Sequence, residues 1–550
     1  MLKPFTLVGV AMVLAVMAVE SLAAPAQSFS FNVQPRRRVE TSAGSGRFHL
    51  LTTQQSWQAT ETAFIVCDMW DSHHCLNAVR RVGELTPRMN RVLHAARKEG
   101  ALIIHAPSSC MTPYENHPAR LRAKQAPQAG NVPSDIGQWC RHIDAEDAGR
   151  YPIDQKAGGE DDDLAEHAAW AALLADKGLN PRAPWKRQVD GLDIDAEHDL
   201  ISDSGVEIWN VLESSKIKNV VLVGVHTNMC VLGRPFGLRQ LSKNGKNVVL
   251  MRDMTDTMYD PTKWPYVSHF SGTDLIVEHI EKFVCPTITS SDILQGEPEF
   301  RFSGDRRPHV AVLVAEDEYR TEQTLPEFAA RHLQRDFRVT FIFGSDTQRN
   351  DIPGIAAIDQ ADVLLVSVRR RPLPKVQLDA VRRHVAAGKP VLGIRTANHA
   401  FAPSRNQTLP PELDAWTDWD AEVYGGHYTN HYGEGPKVAL AIAEGVSSHP
   451  ILAHVELKDF VGNGSLYKVN PLSTGTTPLL MGTIPNQASE TIAWTRVRSD
   501  GGRSFYTSLG HIDDFKEPAF RRLLTNAIYW SARLPIPETL PTSPAEPPKS

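Results

Sequence analysis

The sequence is poor in cysteine and has no surplus of positive charge. Six cysteines in 550 residues are too few for a scaffold held by disulfides, so hydrophobic cores must hold the fold. Lys and Arg number 58 against 64 Asp and Glu, a net charge of −6. Nucleic-acid binders usually carry a basic surplus, so we expect no nucleic-acid partner. The hydrophobic fraction of 41% and charged fraction of 22% are those of an ordinary folded chain, long enough for two large domains.

Long apolar runs are also missing, except at the start of the chain. Lys3 precedes an apolar run at residues 5–19, and Ser21-Leu22-Ala23 fits a cleavage site. This pattern predicts a signal peptide at residues 1–23, with a buried core helix as the alternative. The chain is therefore expected to be periplasmic or secreted, with no membrane segment after cleavage. Export would permit disulfides, but the sequence does not specify any pairing.

The rest of the chain alternates apolar strands with amphipathic helices in two blocks. Continuous apolar strands alternating with helices predict parallel sheets covered on both faces. The predicted fold class is therefore α/β, with two doubly wound, mainly parallel sheet domains. The predicted divisions are a polar leader at 24–59, a first domain at 60–285, a linker at 286–307, a second domain at 308–534 and a disordered proline-rich tail at 535–550.

Two strand ends of the first domain carry residues suited to catalysis. Asp68 directly follows an apolar strand, and Cys230 lies five residues after the valine-rich strand at 219–225. The carboxyl ends of parallel strands share one edge of a sheet, where ligands bind. A helix beginning near Cys230 would stabilise its thiolate near neutral pH, although an inert core cysteine is the alternative. The acidic run at 160–163 is interpreted as solvated surface.

The motifs FIVCDM at 64–69 and GVHTNMCV at 224–231 resemble those of the isochorismatase-like cysteine hydrolases, which include nicotinamidases. The resemblance covers about residues 60–285 and implies a three-layer sandwich with an Asp–Lys–Cys triad. It implies that Asp68 accepts the thiol proton and that Cys230 is the nucleophile.

The resemblance also implies an oxyanion hole next to a cis peptide between Val225 and His226. Its donors would be the backbone N–H groups of His226 and Cys230. The triad lysine maps to Lys186, 44 residues before Cys230. Arg187 is the alternative, able to stabilise charge but not to move protons. Either cation could instead be an exposed loop residue.

No metal or cofactor is expected. Nicotinamidases carry an Asp-x-His pair after the second strand, whereas the matching place here reads HAPS at 105–108. The implied reaction is acyl transfer to Cys230 from a small amide or related C–N substrate, followed by hydrolysis of the thioester.

The second block resembles the ThuA-like (trehalose utilisation) branch of the class I glutamine amidotransferase-like fold over residues 308–534. The residues that carry this resemblance are GKPVLGIR at 388–395, GGH at 425–427 and GRSFYTSLGH at 502–511. Amidotransferases have their nucleophilic cysteine where this chain has Arg395, and no cysteine follows Cys285. Thiol chemistry is therefore excluded from this domain.

Four residues at predicted strand ends or the loops after them form a candidate ligand pocket in the second domain: Arg395, His399, His427 and His511. The resemblance suggests a carbohydrate-type ligand, while hydrogen-bonded structural histidines are the alternative. Two functions remain open: an exported cysteine hydrolase with an attached binding domain, or a non-catalytic envelope binding or interaction module. The sequence leaves the oligomeric state open, and a homo-oligomer is among the possibilities.

Overall fold

The computed structural model describes residues 1, 29–156, 158–404, 408–433 and 435–543. Apart from Met1, the predicted signal peptide lies outside the described residues, as do residues 544–550 of the predicted tail. No helix in the described ranges is long and apolar enough to cross a membrane.

An eight-stranded sheet in the order β3-β2-β10-β9-β8-β5-β6-β7 forms the centre of the first domain. The strands of this half are β1 Ser30–Val33, β2 Arg36–Glu40, β3 Phe48–Thr52, β4 Gln55–Gln58, β5 Thr62–Cys67, β6 Leu102–Ala106, β7 Leu200–Ile201, β8 Asn219–Val225, β9 Asn247–Asp256 and β10 Thr287–Ile288. From β10 to β7 all neighbours are parallel. Every residue of β5 and β8 is buried, as expected where helices cover both faces of a sheet.

Helices cover the sheet of the first domain. They are α1 Leu76–Lys98, α2 Pro118–Lys124, α3 Leu164–Asp176, α4 Gly205–Ser214, α5 Leu238–Lys243 and α6 His269–Phe283. In α1 the buried residues Leu85, Met89, Val92 and Ala96 recur at helical spacing and form the face that packs on the sheet.

The polar leader and the linker are not separate from the first domain. The leader, predicted at 24–59, supplies β2 and β3, which extend the sheet in antiparallel orientation. The linker, predicted at 286–307, contains β10 in the same sheet. The charges that make the leader polar are used inside the domain, because Arg36 and Arg38 bind buried Glu281 at 2.7 and 3.1 Å.

Two carboxylates of the acidic run at 160–163, those of Asp161 and Asp162, are buried, whereas Asp163 is exposed. Asp161 forms an ion pair of 2.8 Å with Arg81, and Asp162 accepts the N–H of Leu76 at 2.8 Å. Asp163 caps the first turn of α3. The interpretation from charge alone was wrong because these carboxylates bind a partly buried arginine and the first N–H groups of two helices.

A nine-stranded sheet in the order β12-β11-β13-β15-β23-β22-β21-β18-β19 forms the second domain. Its first five strands are parallel and the others antiparallel. The predicted α/β class with two mainly parallel sheet domains is confirmed. The strands and helices of this half are β11 His309–Ala315, α7 Thr321–His332, β12 Arg338–Phe343, β13 Val363–Val368, β14 Leu373–Pro374, α8 Lys375–Ala386, β15 Val391–Ile394, β16 Leu413–Asp414, β17 Asn430–His431, β18 Val438–Ile442, β19 Val461–Gly462, β20 Tyr467–Lys468, β21 Thr476–Thr483, β22 Glu490–Val497, β23 Arg503–Thr507 and α9 Pro518–Ser531.

The tail differs from its prediction over residues 535–543. The carbonyl of Pro541 accepts a hydrogen bond from His332 at 2.5 Å, and the N–H of Ser543 donates to the carbonyl of Arg331 at 2.9 Å. The hydroxyl of Ser543 also reaches the carbonyl of Tyr266 in the first domain at 3.3 Å. Prolines lack an N–H but keep the carbonyl, so a proline-rich segment can still be held by hydrogen bonds that it accepts.

Candidate functional site

The turn that carries Cys230 follows β8 directly. The peptide bond between Val225 and His226 is cis, as predicted. A π-helical turn at Thr227–Val231 then places Cys230 with only 7% of its surface exposed. Gly224 makes the close approach of β8 to β5 possible: its φ is +105°, and a Cβ there would lie 2.0 Å from the carbonyl oxygen of Cys67.

Hydrogen bonds fix this turn to the end of β9. The hydroxyl of Thr227 contacts the hydroxyl of Thr255 at 2.7 Å and donates to the carbonyl of Asp256 at 2.8 Å. The side-chain amide of Asn228 makes two bonds with the backbone of Met258, at 2.9 and 3.0 Å. Thr227 and Asn228 are thus anchored, and this fixes the position of the turn that carries the Cys230 sulfur.

Asp68 lies fully buried beside the cysteine, directly after β5. Its Oδ1 accepts the N–H of Ser108 at 2.8 Å, and its Oδ2 accepts Nε and Nη2 of Arg234, both at 3.0 Å. The Cys230 thiol is close enough to this carboxyl group to lower its pKa. Burial raises the pKa of Asp68 above its usual value, and the Arg234 guanidinium opposes that rise. A base of raised pKa accepts a proton more readily.

The Cys230 thiol does not have the lowered pKa that a helix N-terminus would give. Burial, followed by the negative charge of Asp68, raises the pKa of Cys230 well above its usual value. Arg234 and the backbone N–H of His226 act in the opposite direction. The expectation was wrong because the cysteine lies in a buried one-turn π-helix beside a carboxylate, where desolvation outweighs any helix dipole. A thiolate can form here by transfer of the proton to Asp68.

The cation of the site is not the predicted lysine. Lys186 and the alternative, Arg187, are both exposed, and their backbone N–H groups donate to Asp71. Within the described part of the chain, no ion pair joins either side chain to Asp68, whereas Arg234 contacts it twice. The assignment of Lys186 is therefore corrected to Arg234.

One local signal pointed to Arg234. It lies four residues after Cys230, and its N–H donates to the carbonyl of Cys230 at 3.0 Å. Residues four apart on a helical turn share a face. The family spacing instead directed attention to the loop before Gln188.

Aromatic side chains lie beside Asp68 and Arg234. Trp70 stacks on Trp185 with ring centroids 4.4 Å apart, and its indole N–H donates to the carbonyl of Ser108 at 3.1 Å. The Arg234 guanidinium lies 4.8 Å from the ring of Trp139. Arg234 is thereby held between a carboxylate and an aromatic face, and this fixes its orientation.

The polar side chains at and around the end of β6 bind one another. His105 hydrogen-bonds to Gln188 at 2.9 Å and to Asp199 at 3.1 Å, and Asp199 also accepts Nη2 of Arg97 at 2.7 Å. Among the residues described, no three His, Cys, Asp or Glu side chains are arranged to hold a metal ion. All six cysteines lie in the described ranges and are free, buried thiols.

In the second domain, Arg395 occupies the strand-to-helix turn after β15. Its φ is +50°, and only 2% of the residue is exposed. The guanidinium lies between the rings of Tyr319 and Tyr467, at 4.5 and 4.8 Å, and donates to the carbonyls of Ser465 and Ser508 at 3.2 and 2.5 Å. Arg395 therefore ties together the loops around this turn.

The three predicted pocket histidines are only partly brought together. The ring of His511 lies 5.9 Å from Tyr319, and that of His399 lies 6.3 Å from Tyr467, so both adjoin the aromatic pair around Arg395. His427 is largely exposed and binds Asp420 at 3.2 Å. No contact between described residues joins His427 to Arg395.

Comparisons with known proteins find similar proteins for each half of the chain. The ThuA family model, described as trehalose utilisation, matches residues 309–531 and confirms the resemblance of the second half. A ThuA-like protein from Bacteroides uniformis is 15% identical in sequence, with 43% of this chain and 95% of that one covered and a TM-score of 0.31. A search of curated proteins found no match.

Two further solved structures resemble the N-terminal part. A cysteine hydrolase from Pseudomonas syringae pv. phaseolicola is 17% identical, with 43% of this chain and 92% of that one covered and a TM-score of 0.27. An isochorismatase from Pseudomonas putida is 13% identical, with 42% and 90% covered and a TM-score of 0.25. These likenesses concern the fold alone.

Proposed function

We propose that the first domain is a cysteine hydrolase that cleaves a small amide or a related C–N bond through a thioester on Cys230. The observation that carries the proposal is the buried set of Cys230, Asp68 and Arg234, in which the guanidinium binds the carboxyl group and that carboxyl group and the thiol influence each other's pKa. A nucleophile, a base and a group that holds the base are the parts that covalent catalysis needs.

The proposed reaction begins when Asp68 accepts the proton of the Cys230 thiol. The sulfur then attacks the carbonyl carbon, and the N–H groups of His226 and Cys230 stabilise the oxyanion. The C–N bond breaks, and the amine leaves with the proton from Asp68. Water next attacks the thioester, with its proton accepted by Asp68, and releases the acid and the free thiol. Loss of one oxyanion donor should reduce the rate by about 10²–10³-fold.

Arg234 has a positioning role in this scheme. A guanidinium stays protonated in proteins and cannot move protons. Asp68 must therefore perform every proton transfer, while Arg234 orients the carboxylate and limits the rise of its pKa. This division of work differs from a triad in which lysine is the cation.

The hydrolysis of small amides tests the proposal. We would measure ammonia or amine release from a panel of small amides by the wild type and by Cys230→Ala. Cys285→Ala is the matched control because Cys285 is another buried free thiol, on the far side of β9 from β8. Release by the wild type and the control, but not by Cys230→Ala, would support the proposal. Release that survives in Cys230→Ala would contradict it.

A second candidate is a non-catalytic binding or interaction module. It is favoured by the raised pKa of the Cys230 thiol and by the position of Lys186 outside the site. Peptide-level measurement of iodoacetamide labelling separates the two functions. A hydrolase should have one thiol, Cys230, that reacts faster than the other five, whereas uniformly slow thiols would favour the module.

We also propose that the chain is exported and that its second domain binds a carbohydrate-type ligand. Expression with residues 1–23 in a Gram-negative host should give a periplasmic chain that begins at Ala24. A chain retained in the cytoplasm with Met1 intact would contradict export. The family match at 309–531 supports the choice of ligand class.

A further inference from the structure

A cleft of about 530 Å³ opens at the carboxyl edge of the second sheet. Residues 315–317 at the end of β11, residues 344–347 after β12 and Arg371 after β13 form its walls. β11 lies between β12 and β13, so the connections that leave β11 and β13 diverge to opposite sides. Open α/β sheets bind ligands at such a switch point.

The first domain completes one wall of this cleft. Arg47, in the loop between β2 and β3, binds Asp346 at 2.8 Å, and the hydroxyl of Thr41 in the same loop binds it at 2.7 Å. The cleft is therefore a feature of the two-domain chain.

Most charged groups around the cleft already have partners. Arg47 is paired with Asp346 and Arg349 with Asp317. Glu316 accepts the N–H groups of three residues of the following turn and the hydroxyl of Thr321. Its carboxylate is thus committed to the start of α7.

Two arginines of the cleft, Arg371 and Arg320, lack a carboxylate partner among the described residues. Arg371 is 8% exposed, and no carboxylate of the described chain lies within 4.0 Å of its guanidinium, whose Nη1 donates to the carbonyl of Arg349 at 2.5 Å. Its Nε is buried without a partner. Arg320, on the same cleft, is exposed and also has no carboxylate partner among described residues. Buried charges are normally paired, so a guanidinium in this state is suited to an anion from outside the chain.

The absence of a side chain at Gly344 leaves space around the guanidinium of Arg371. A Cβ at Gly344 would lie 3.0 Å from its Nη1, so the glycine leaves room for the guanidinium. The planar fork of arginine matches the two oxygens of a carboxylate. The other lining groups include the hydroxyls of Ser345 and Thr347 and the carboxylate of Glu322, which can hydrogen-bond to the hydroxyls of a polyol.

We propose that this cleft binds a hydroxylated carboxylate of the sugar-acid type, with its carboxylate on Arg371 and Arg320 and its hydroxyls on the other polar groups that line the cleft. The inference rests on the ligand binding proposed for the second domain, and it is independent of Cys230 chemistry. It places the ligand in this cleft instead of at Arg395.

Calorimetric titration of the full chain with D-glucuronate tests the proposal. D-glucose serves as the probe without a carboxylate, and inorganic phosphate as the probe without the sugar. We expect saturable binding of glucuronate, at least tenfold weaker in Arg371→Gln, and little binding of glucose. The exposed Arg320→Gln, which leaves the core untouched, should weaken binding about threefold to tenfold. Arg383→Gln is the matched control because Arg383 is exposed and paired with Asp359, outside the cleft.

Each result decides something different. Glucuronate binding that is equal in both cleft variants and the wild type would overturn the site, while ligand binding by the domain would stand. Absence of glucuronate binding would overturn the inference, and absence of both glucuronate and glucose binding would also count against carbohydrate binding by the domain. Phosphate that binds as tightly as glucuronate, with the same loss in Arg371→Gln, would overturn the sugar-acid class. If Arg371→Gln fails to fold, Arg320→Gln alone decides, and unchanged affinity in that variant would refute the inference.

Discussion

Replacing Arg234 with methionine removes the positive charge that holds Asp68. Nε and Nη2 both lie 3.0 Å from Oδ2 of the carboxylate. Two unit charges at about 4 Å interact by about 4 kcal/mol at an effective dielectric constant of about 20. Loss of an attraction of this size should raise the pKa of Asp68, which burial already raises, still further.

The same change should raise the pKa of the Cys230 thiol, because the positive charge of Arg234 lowers that pKa in the wild type. Arg234 hydrogen-bonds to the carboxylate of Asp68, so we expect a smaller rise for the thiol than for Asp68. Below its midpoint, thiolate concentration falls tenfold per unit, so alkylation of Cys230 at pH 8 should slow by about 10–100-fold. Arg234→Lys keeps the charge and should shift the midpoint less.

The assay is the rate of iodoacetamide alkylation of the Cys230 peptide between pH 6 and 11, read by mass spectrometry. Lys186→Met and Arg187→Met are the controls, because both residues are exposed cations that the family spacing pointed to. The reasoning is refuted if the Arg234→Met profile superimposes on that of the wild type, or if Lys186→Met moves the midpoint as far as Arg234→Met does.

Three other substitutions have defined outcomes. Asp68→Asn removes the carboxylate that raises the pKa of Cys230, so the pH midpoint of Cys230 alkylation should fall. Amide hydrolysis should drop by about 10²–10⁴-fold because the base is lost. Hydrolysis at the wild-type rate would exclude Asp68 as the base. Although burial raises it, hydrogen bonds lower the pKa of Asp199 to about 2, so its carboxylate stabilises the fold above about pH 4, and this contribution is lost as the pH falls toward 2. Asp199→Asn should therefore cost about 2 kcal/mol in urea unfolding at pH 7 and only a small fraction of that at pH 2; an equal cost at both pH values would contradict this. Gly224→Ala should cost about 2–5 kcal/mol, because a Cβ there meets backbone; a thermal unfolding temperature equal to that of the wild type would show that β5 and β8 can separate.

The sequence predicted the strands and the ends that carry the site, because strong local patterns determine them. The strand at 219–225 has the predicted bounds. Asp68 and Cys230 follow apolar strands that are neighbours in the sheet, so their meeting follows from topology. The cis peptide before His226 followed from the family resemblance.

The cation could not be found in the same way. A family spacing between Lys186 and Cys230 carries no information about which side chain is buried against Asp68. The contact is made by Arg234, whose position depends on how the turn after Cys230 packs against Trp139.

Charged segments were misinterpreted for a related reason. The leader and the acidic run appear solvated because they are polar, but their charges pair with residues far along the chain. Arg36 binds Glu281, and Asp161 binds Arg81. Such pairs are non-local, so a local polar pattern cannot distinguish them from solvent-exposed charge.

The central claim is that catalysis passes through an acyl group on the sulfur of Cys230. The most direct measurement is an acid quench of the enzyme during turnover of an amide identified in the screen, followed by mass analysis of the Cys230 peptide. The account predicts the mass of the acyl group on this peptide, released by hydroxylamine and absent from Cys230→Ala. Turnover with an unmodified Cys230 peptide at every quench time, and undiminished in Cys230→Ala, would contradict it.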